Sequence, residues 1–172
     1  QVIAVQYRKK PNMKPGEYRS HLYFRSEKTI APRGMEPKGD TSKIKIQLTP
    51  IFGLSIPIII RTGEVDVTSY LSNLKVQTEQ DRNPYLKLTI NRIGNMSVYG
   101  NILVEFIPEE GKPYEIGRLN GIGVYTDLNK RDALIKLNVA PDTPLRGTLS
   151  VKYTSNDPAK NETYAEAELD LY

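Results

Sequence analysis

The 172-residue chain contains one histidine and no cysteine. Thiol nucleophiles, thiolate metal sites and disulfides are therefore excluded, and a histidine-rich metal centre with them. His21 is the one imidazole that could serve as a general base. It lies in GEYRSHLYFR, at the parity of Glu17, Arg19 and Arg25, which is how a solvated strand face reads. Asp127, Asn129 and Asp132 gather oxygen ligands in one short stretch, without the one-three-five rhythm, central glycine and terminal glutamate of a calcium loop. Gly121-Ile-Gly123 lacks the strand-to-helix setting of a phosphate loop and reads as a bend in a strand. Asn95-Met-Ser97 and Asn161-Glu-Thr163 are glycosylation sequons, which matter only in a secreted eukaryotic protein. Arg8, Lys9, Lys10, Lys14, Arg25, Lys28, Lys43 and Lys45 form a basic first segment, but no aromatic platform or recognition helix accompanies it, so no nucleic-acid partner is expected. No catalytic residue, metal ligand or cofactor motif emerges, and the chain reads as a non-enzyme.

The elements that must carry a function are strands. From Lys43 to Arg61, KIKIQLTPIFGLSIPIIIR, every even position from Ile44 to Ile60 except Pro50 is a bulky hydrophobe. That alternation predicts a strand with one apolar face. Nineteen residues would run roughly 60 Å, well beyond an ordinary strand, so a bend or a passage between partners is expected. Pro50 and Pro57 differ in parity, which argues against a fully paired central position. A long apolar strand with a compromised ladder invites pairing with another chain. Its plainer alternative is a core strand covered by residues upstream of Gln1.

Around it, residues 1–62 offer three strands: Gln1 to Lys9, with Ile3, Val5 and Tyr7 on one side; Glu17 to Ser26, with Tyr18, Leu22 and Phe24 on one face; and the apolar strand. A type II turn is expected at Lys14-Pro15-Gly16-Glu17, and residues 27–42 read as a long loop. Three strands cannot build two facing sheets, so an incomplete domain is expected, with strands upstream of Gln1 and self-association through exposed strands. Residues 63–172 read as an all-β domain, joined by a short connection at Arg61 to Glu64. Leu86, Leu88 and Ile90 alternate with Lys87, Thr89 and Asn91; Ile102, Val104 and Phe106 follow; Ile135, Leu137 and Val139, then Leu149, Val151 and Tyr153, alternate with polar or exposed neighbours; and Ala165, Ala167, Leu169 and Leu171 lie opposite Glu166, Glu168 and Asp170. About seven short strands in roughly 100 residues predict an immunoglobulin-like sandwich. Only residues 127–136 offer a helical turn. The fold expected is all-β, two immunoglobulin-like β-sandwich domains in tandem, 1–62 partial and 63–172 complete.

Net charge is +4, divided as 12 Lys+Arg against 4 Asp+Glu in residues 1–62 and 12 against 16 in 63–172. Such asymmetry suits an anionic partner or balancing acids elsewhere. The longest apolar run, Ile51 to Ile60, is too short and too interrupted for the roughly 20 residues of a spanning helix.

GEYRSHLYF at 16–24, LSIPIIIR at 54–61, INRIGNMSVYGNILVEF at 90–106, GIGVYT at 121–126 and the terminal YAEAELDL together resemble the divergent branch of the PapD-like periplasmic pilus-assembly chaperones. The resemblance runs in order from the fifth strand of the family's first domain onward. It implies a periplasmic, cofactor-free chaperone whose first domain donates its last long strand to a pilin subunit, with Ile44, Ile46, Leu48 and Phe52 as the donor face and an outer-membrane usher as a further partner. The family's basic anchor is not matched: its arginine lies on a first strand that this chain does not contain, and its lysine position is Pro57. The alternative function is a secreted or surface-exposed adhesion module that binds through the second sandwich.

Overall fold

The computed structural model describes residues 2–27, 50–78, 83–140, 145–157, 159–160 and 162–172. The chain is all-β, with nine strands among the described residues and no helix. They are β1 (Gly16–Arg25), β2 (Gly53–Thr62), β3 (Val67–Thr78), β4 (Pro84–Gly94), β5 (Val98–Pro108), β6 (Tyr114–Val124), β7 (Lys130–Lys136), β8 (Gly147–Ser155) and β9 (Thr163–Leu171). The chain divides into two compact units, one of Gln1–Glu17 with Arg61–Tyr172 and the other of Tyr18–Ile60. Residues 1–17 thus group with the C-terminal strands.

In the larger unit a three-stranded sheet, β3-β4-β7, faces a four-stranded sheet, β6-β5-β8-β9, and all paired neighbours run antiparallel. The strands alternate as their sequences demand. Leu86, Leu88 and Ile90 from one sheet, and Ile102, Val104, Leu149, Val151 and Tyr153 from the other, lose all solvent contact. Ala165, Ala167, Leu169 and Leu171 of β9 pack against this core from the edge. Tyr153 reaches through the core and donates its hydroxyl to Ile122 O at 2.9 Å; burial pushes its phenol well above the ordinary tyrosine value. The fourth strand of the sandwich, β6, pairs with the third, β5. In the constant-type immunoglobulin arrangement it would lie in the opposite sheet.

Two of these seven strands have no clear sequence signature, and both contain bulges. In β3 the register against β4 slips between Ser72 and Lys75. Val67 and Leu71 face inward before the slip, and Leu74 and Val76 after it, so the apolar parity changes from odd to even. In β6 one slip falls opposite Gly100 and Ile102, where Gly121 takes φ +70° and donates its N–H to Asn101 Oδ1. The pair of glycines at 121 and 123 is therefore a bulged strand.

Three expectations fail. Val2 to Lys10 form no strand, and Ile3 and Val5 are exposed; their alternation meets no neighbouring ladder, and a lone strand leaves its backbone groups to water. The expected turn at Lys14 to Glu17 is displaced to Lys10–Met13, closed by Met13 N–H donating to Lys10 O, and Gly16 already belongs to β1. Residues 130–136 form β7, not a helical turn, because pairing with β4 sets Ala133 and Ile135 into the core. Among the described residues no helix is long and apolar enough to cross a membrane.

Candidate functional site

β1 and β2 form a separate two-stranded sheet. At its far end Ser26 N–H donates to Phe52 O at 2.8 Å, and Ser26 Oγ accepts from Phe52 N–H at 2.9 Å. At its other end Glu17 lies against Arg61, so the strands run antiparallel. Tyr23 lies over Gly53: a Cβ at Gly53 would sit 2.5 Å from the Tyr23 hydroxyl.

Among the described residues the apolar side chains of β2 are incompletely covered. Phe52 is 74% exposed, Leu54 60% and Ile56 43%, while Ile58 and Ile60 are half-buried. Leu22 and Phe24 of β1 are half-buried as well. Isolated hairpins are marginal in water without a third strand or a covering layer, and a stripe of exposed large hydrophobes marks an interaction surface. Of the four donor-face residues expected from sequence, Phe52 is described and exposed; Ile44, Ile46 and Leu48 lie outside the described residues.

The backbone of β2 also has an orientation. Ser26 N–H points at β2, whereas Glu17 N–H turns away to Asn95 O. Along a regular antiparallel ladder this parity directs the even-numbered backbone groups of β2 at β1 and the odd-numbered ones at the opposite edge, which no described strand pairs with and so is open among the described residues. Pro57 is odd. Its missing N–H therefore weakens the open edge and leaves the pairing with β1 intact.

The foot of the ribbon belongs to the sandwich unit. The Glu17 side chain has no solvent-exposed surface; it accepts from Arg61 Nε at 3.1 Å and from the Ser97 hydroxyl. Sequence parity assigned Glu17 to a solvated face. The sandwich overrides that assignment by setting Glu17 against Asn95 and Ser97 of the β4–β5 corner. Asn95, at that corner, accepts from Glu17 N–H through its carbonyl, donates its N–H to Asp66 O, and uses both side-chain atoms, giving Nδ2 to Glu64 O and accepting at Oδ1 from Asp66 N–H. The sequon at Asn95 is thus a structural clamp. Nearby, Gly63 adopts φ +67° and leaves no room for a Cβ, which would stand 2.9 Å from Pro15 Cβ.

The remaining candidates do not assemble a reactive site. His21 is exposed on β1. Asn129 Oδ1 accepts from Arg92, and Asp132 accepts from Thr89, so these oxygens serve separate partners. No cluster of three or more His, Asp or Glu suited to a metal occurs among the described residues. Asn161, Lys28, Lys43 and Lys45 lie outside them. Arg92, unmarked in the sequence, is buried and donates to the carbonyls of Gly94, Met96 and Leu128. It ties the β4–β5 corner to the segment before β7.

No family model and no curated protein matches the chain. Among solved structures it is similar to DesR, a β-glucosidase from Streptomyces venezuelae solved in complex with D-glucose, at 9% identity and a TM-score of 0.36. The match covers 63% of this chain, and 15% of the length of that one. At this distance the likeness carries no argument about fold or activity.

Proposed function

We propose that the chain is a periplasmic chaperone that caps fimbrial subunits by lending them a β-strand, without enzymatic activity or cofactor. The observation that carries the reading is the apolar stripe of β2, exposed on a two-stranded ribbon at Phe52, Leu54 and Ile56. It continues in sequence into Ile44, Ile46 and Leu48. A subunit lacking one strand would accept this stripe into its groove while its sheet gains a backbone partner. Burying four side chains of the Ile44, Ile46, Leu48 and Phe52 kind contributes roughly 6 to 12 kcal/mol gross, before the several lost in association. Arg61, the arginine that closes the strand in the resemblance, is committed to Glu17, and the lysine position is Pro57, so the subunit's C-terminus would need a different anchor.

The test is co-purification with a pilin-like subunit encoded beside an outer-membrane usher. Ile46→Asp or Leu54→Asp should abolish capture with the melting of the sandwich unchanged. Lys45→Ala, at the opposite parity, should weaken capture by no more than about 1 kcal/mol. Equal effects of Ile46→Asp and Lys45→Ala would refute strand lending. A locus without usher or subunit genes, or a large multidomain parent chain, would favour the surface adhesion module.

A further inference from the structure

The outward face of β3-β4-β7 carries a polar groove that the capping function does not use. Cross-strand register places Tyr70, Asn91 and Lys130 in one row and Ser72, Thr89 and Asp132 in the next. Lys75, Lys87 and Leu134 form the row beyond, along the same face. A depression of about 400 Å³ lies over the middle of this face, and it adjoins one of about 330 Å³ beside Tyr70 through the shared Asn91 and Lys130.

The floor is organised. Thr89 points outward from the sheet, yet it is buried beneath its neighbours. Its hydroxyl donates to Asp132 Oδ1 at 2.7 Å and accepts from Asn73 Nδ2 at 3.3 Å. Asn73 sits at the β3 bulge with φ +56°, the one non-glycine positive φ among the described residues, a conformation that asparagine tolerates better than most residues. Asn91 gives its amide N–H groups to the sheet, chiefly to Ser72 Oγ at 2.8 Å. Asp132 Oδ2 and Asn91 Oδ1 have no partner among the described residues. The strand residues of the face carry four lysines, at 75, 87, 130 and 136, against one carboxylate, Asp132. None of the four is ion-paired with a described residue. The groove therefore offers acceptors for hydroxyls in its floor, unpaired ammonium groups beside them, and a half-exposed tyrosine ring at one end.

We propose that this groove binds an anionic oligosaccharide of the uronic-acid type. The carboxylates meet Lys87 and Lys130, the hydroxyls meet Asp132 Oδ2 and Asn91 Oδ1, and the apolar face of a sugar ring lies on Tyr70. Lys87 and Lys130 stand four residues apart along β4 by register, roughly 13 Å. The floor lies between them, and their long side chains can converge on it. The inference does not depend on strand lending, which uses β2.

The test is isothermal titration of the full chain with oligogalacturonate, with maltoheptaose as the neutral comparator and dextran sulfate as a featureless polyanion. Oligogalacturonate should bind and maltoheptaose should not. Lys87→Gln with Lys130→Gln should weaken binding about tenfold or more. Asp132→Asn should also weaken it, because the hydroxyl acceptor is lost, although removing a negative charge would strengthen simple polyanion attraction. Tyr70→Ala provides a second, exposed variant, and Lys152→Gln on the other sheet should have no effect. The proposal is overturned if oligogalacturonate does not bind, if Asp132→Asn strengthens binding as it would for dextran sulfate, or if Lys152→Gln matters as much as the groove lysines. It is also overturned if the groove variants change only the sedimentation of the ligand-free chain, which would make the face a contact between copies.

Discussion

Removing Arg61 should destabilise the sandwich unit more than removing the residue that it pairs with. Glu17 has no exposed side-chain surface, whereas Arg61 is 46% exposed. Arg61→Ala takes a guanidinium partner from a carboxylate held away from water, and the Ser97 hydroxyl is among the partners that stay. Breaking a buried pair from one side costs about 3 to 5 kcal/mol, and the half-exposed guanidinium lowers the expected loss to about 2 kcal/mol through solvent screening. Glu17→Ala leaves a cation that water can reach and forfeits the bond to Ser97, a loss of about 1 kcal/mol. The double variant strands no charge, so it should be no less stable than Arg61→Ala alone. The cycle should then give a coupling of about 1 to 2 kcal/mol. Equilibrium urea unfolding supplies the measurement, followed by tyrosine fluorescence because the chain has no tryptophan. Additive single effects, or a loss for Glu17→Ala that exceeds the one for Arg61→Ala, would refute the reasoning that the burial of the carboxylate makes it dependent on the guanidinium.

Pro57→Val restores an N–H on the open edge of β2 and should promote self-association, read as a larger sedimentation coefficient at equal concentration; an unchanged value would place Pro57 on the β1 side. Tyr153→Phe removes the hydroxyl that donates to Ile122 O in the core and should cost about 1 to 3 kcal/mol in urea unfolding. The bond from Arg118 holds the Glu115 carboxyl below its ordinary value, so the pair favours the folded state above the unfolded glutamate pKa, and this support is lost as the pH falls through the lowered folded value. An NMR pH titration should show the Glu115 midpoint rising in Arg118→Gln, with little change in Tm because both side chains are open to water.

The sequence by itself determined the all-β class and most of the sandwich. Leu86, Leu88, Ile90, Ile102, Val104, Leu149, Val151 and Tyr153 alternate with period two, and burial on one face of a sheet imposes that period on any regular strand. It also marked the apolar strand, because eight large hydrophobes occupy the even positions from Ile44 to Ile60, Phe52 and Ile56 among them, and so dense an alternation is visible without any tertiary information. The tertiary structure decided wherever the period is interrupted or where burial comes from outside the strand. β3 and β6 lack a continuous period-two signature because a bulge shifts the apolar parity within each, and in β6 only the bend at Gly121 and Gly123 shows in the sequence. Gln1 to Lys9 alternates as a strand should, but a strand exists only when a neighbour takes its backbone hydrogen bonds. Glu17, Ser97 and Arg61 stand 80 and 44 residues apart along the pairs they form, and no local pattern reports that the corner after β4 will cover a glutamate. The groove of Asn73, Thr89 and Asp132 arises in the same way, since side chains on three strands become one surface only when register sets them side by side.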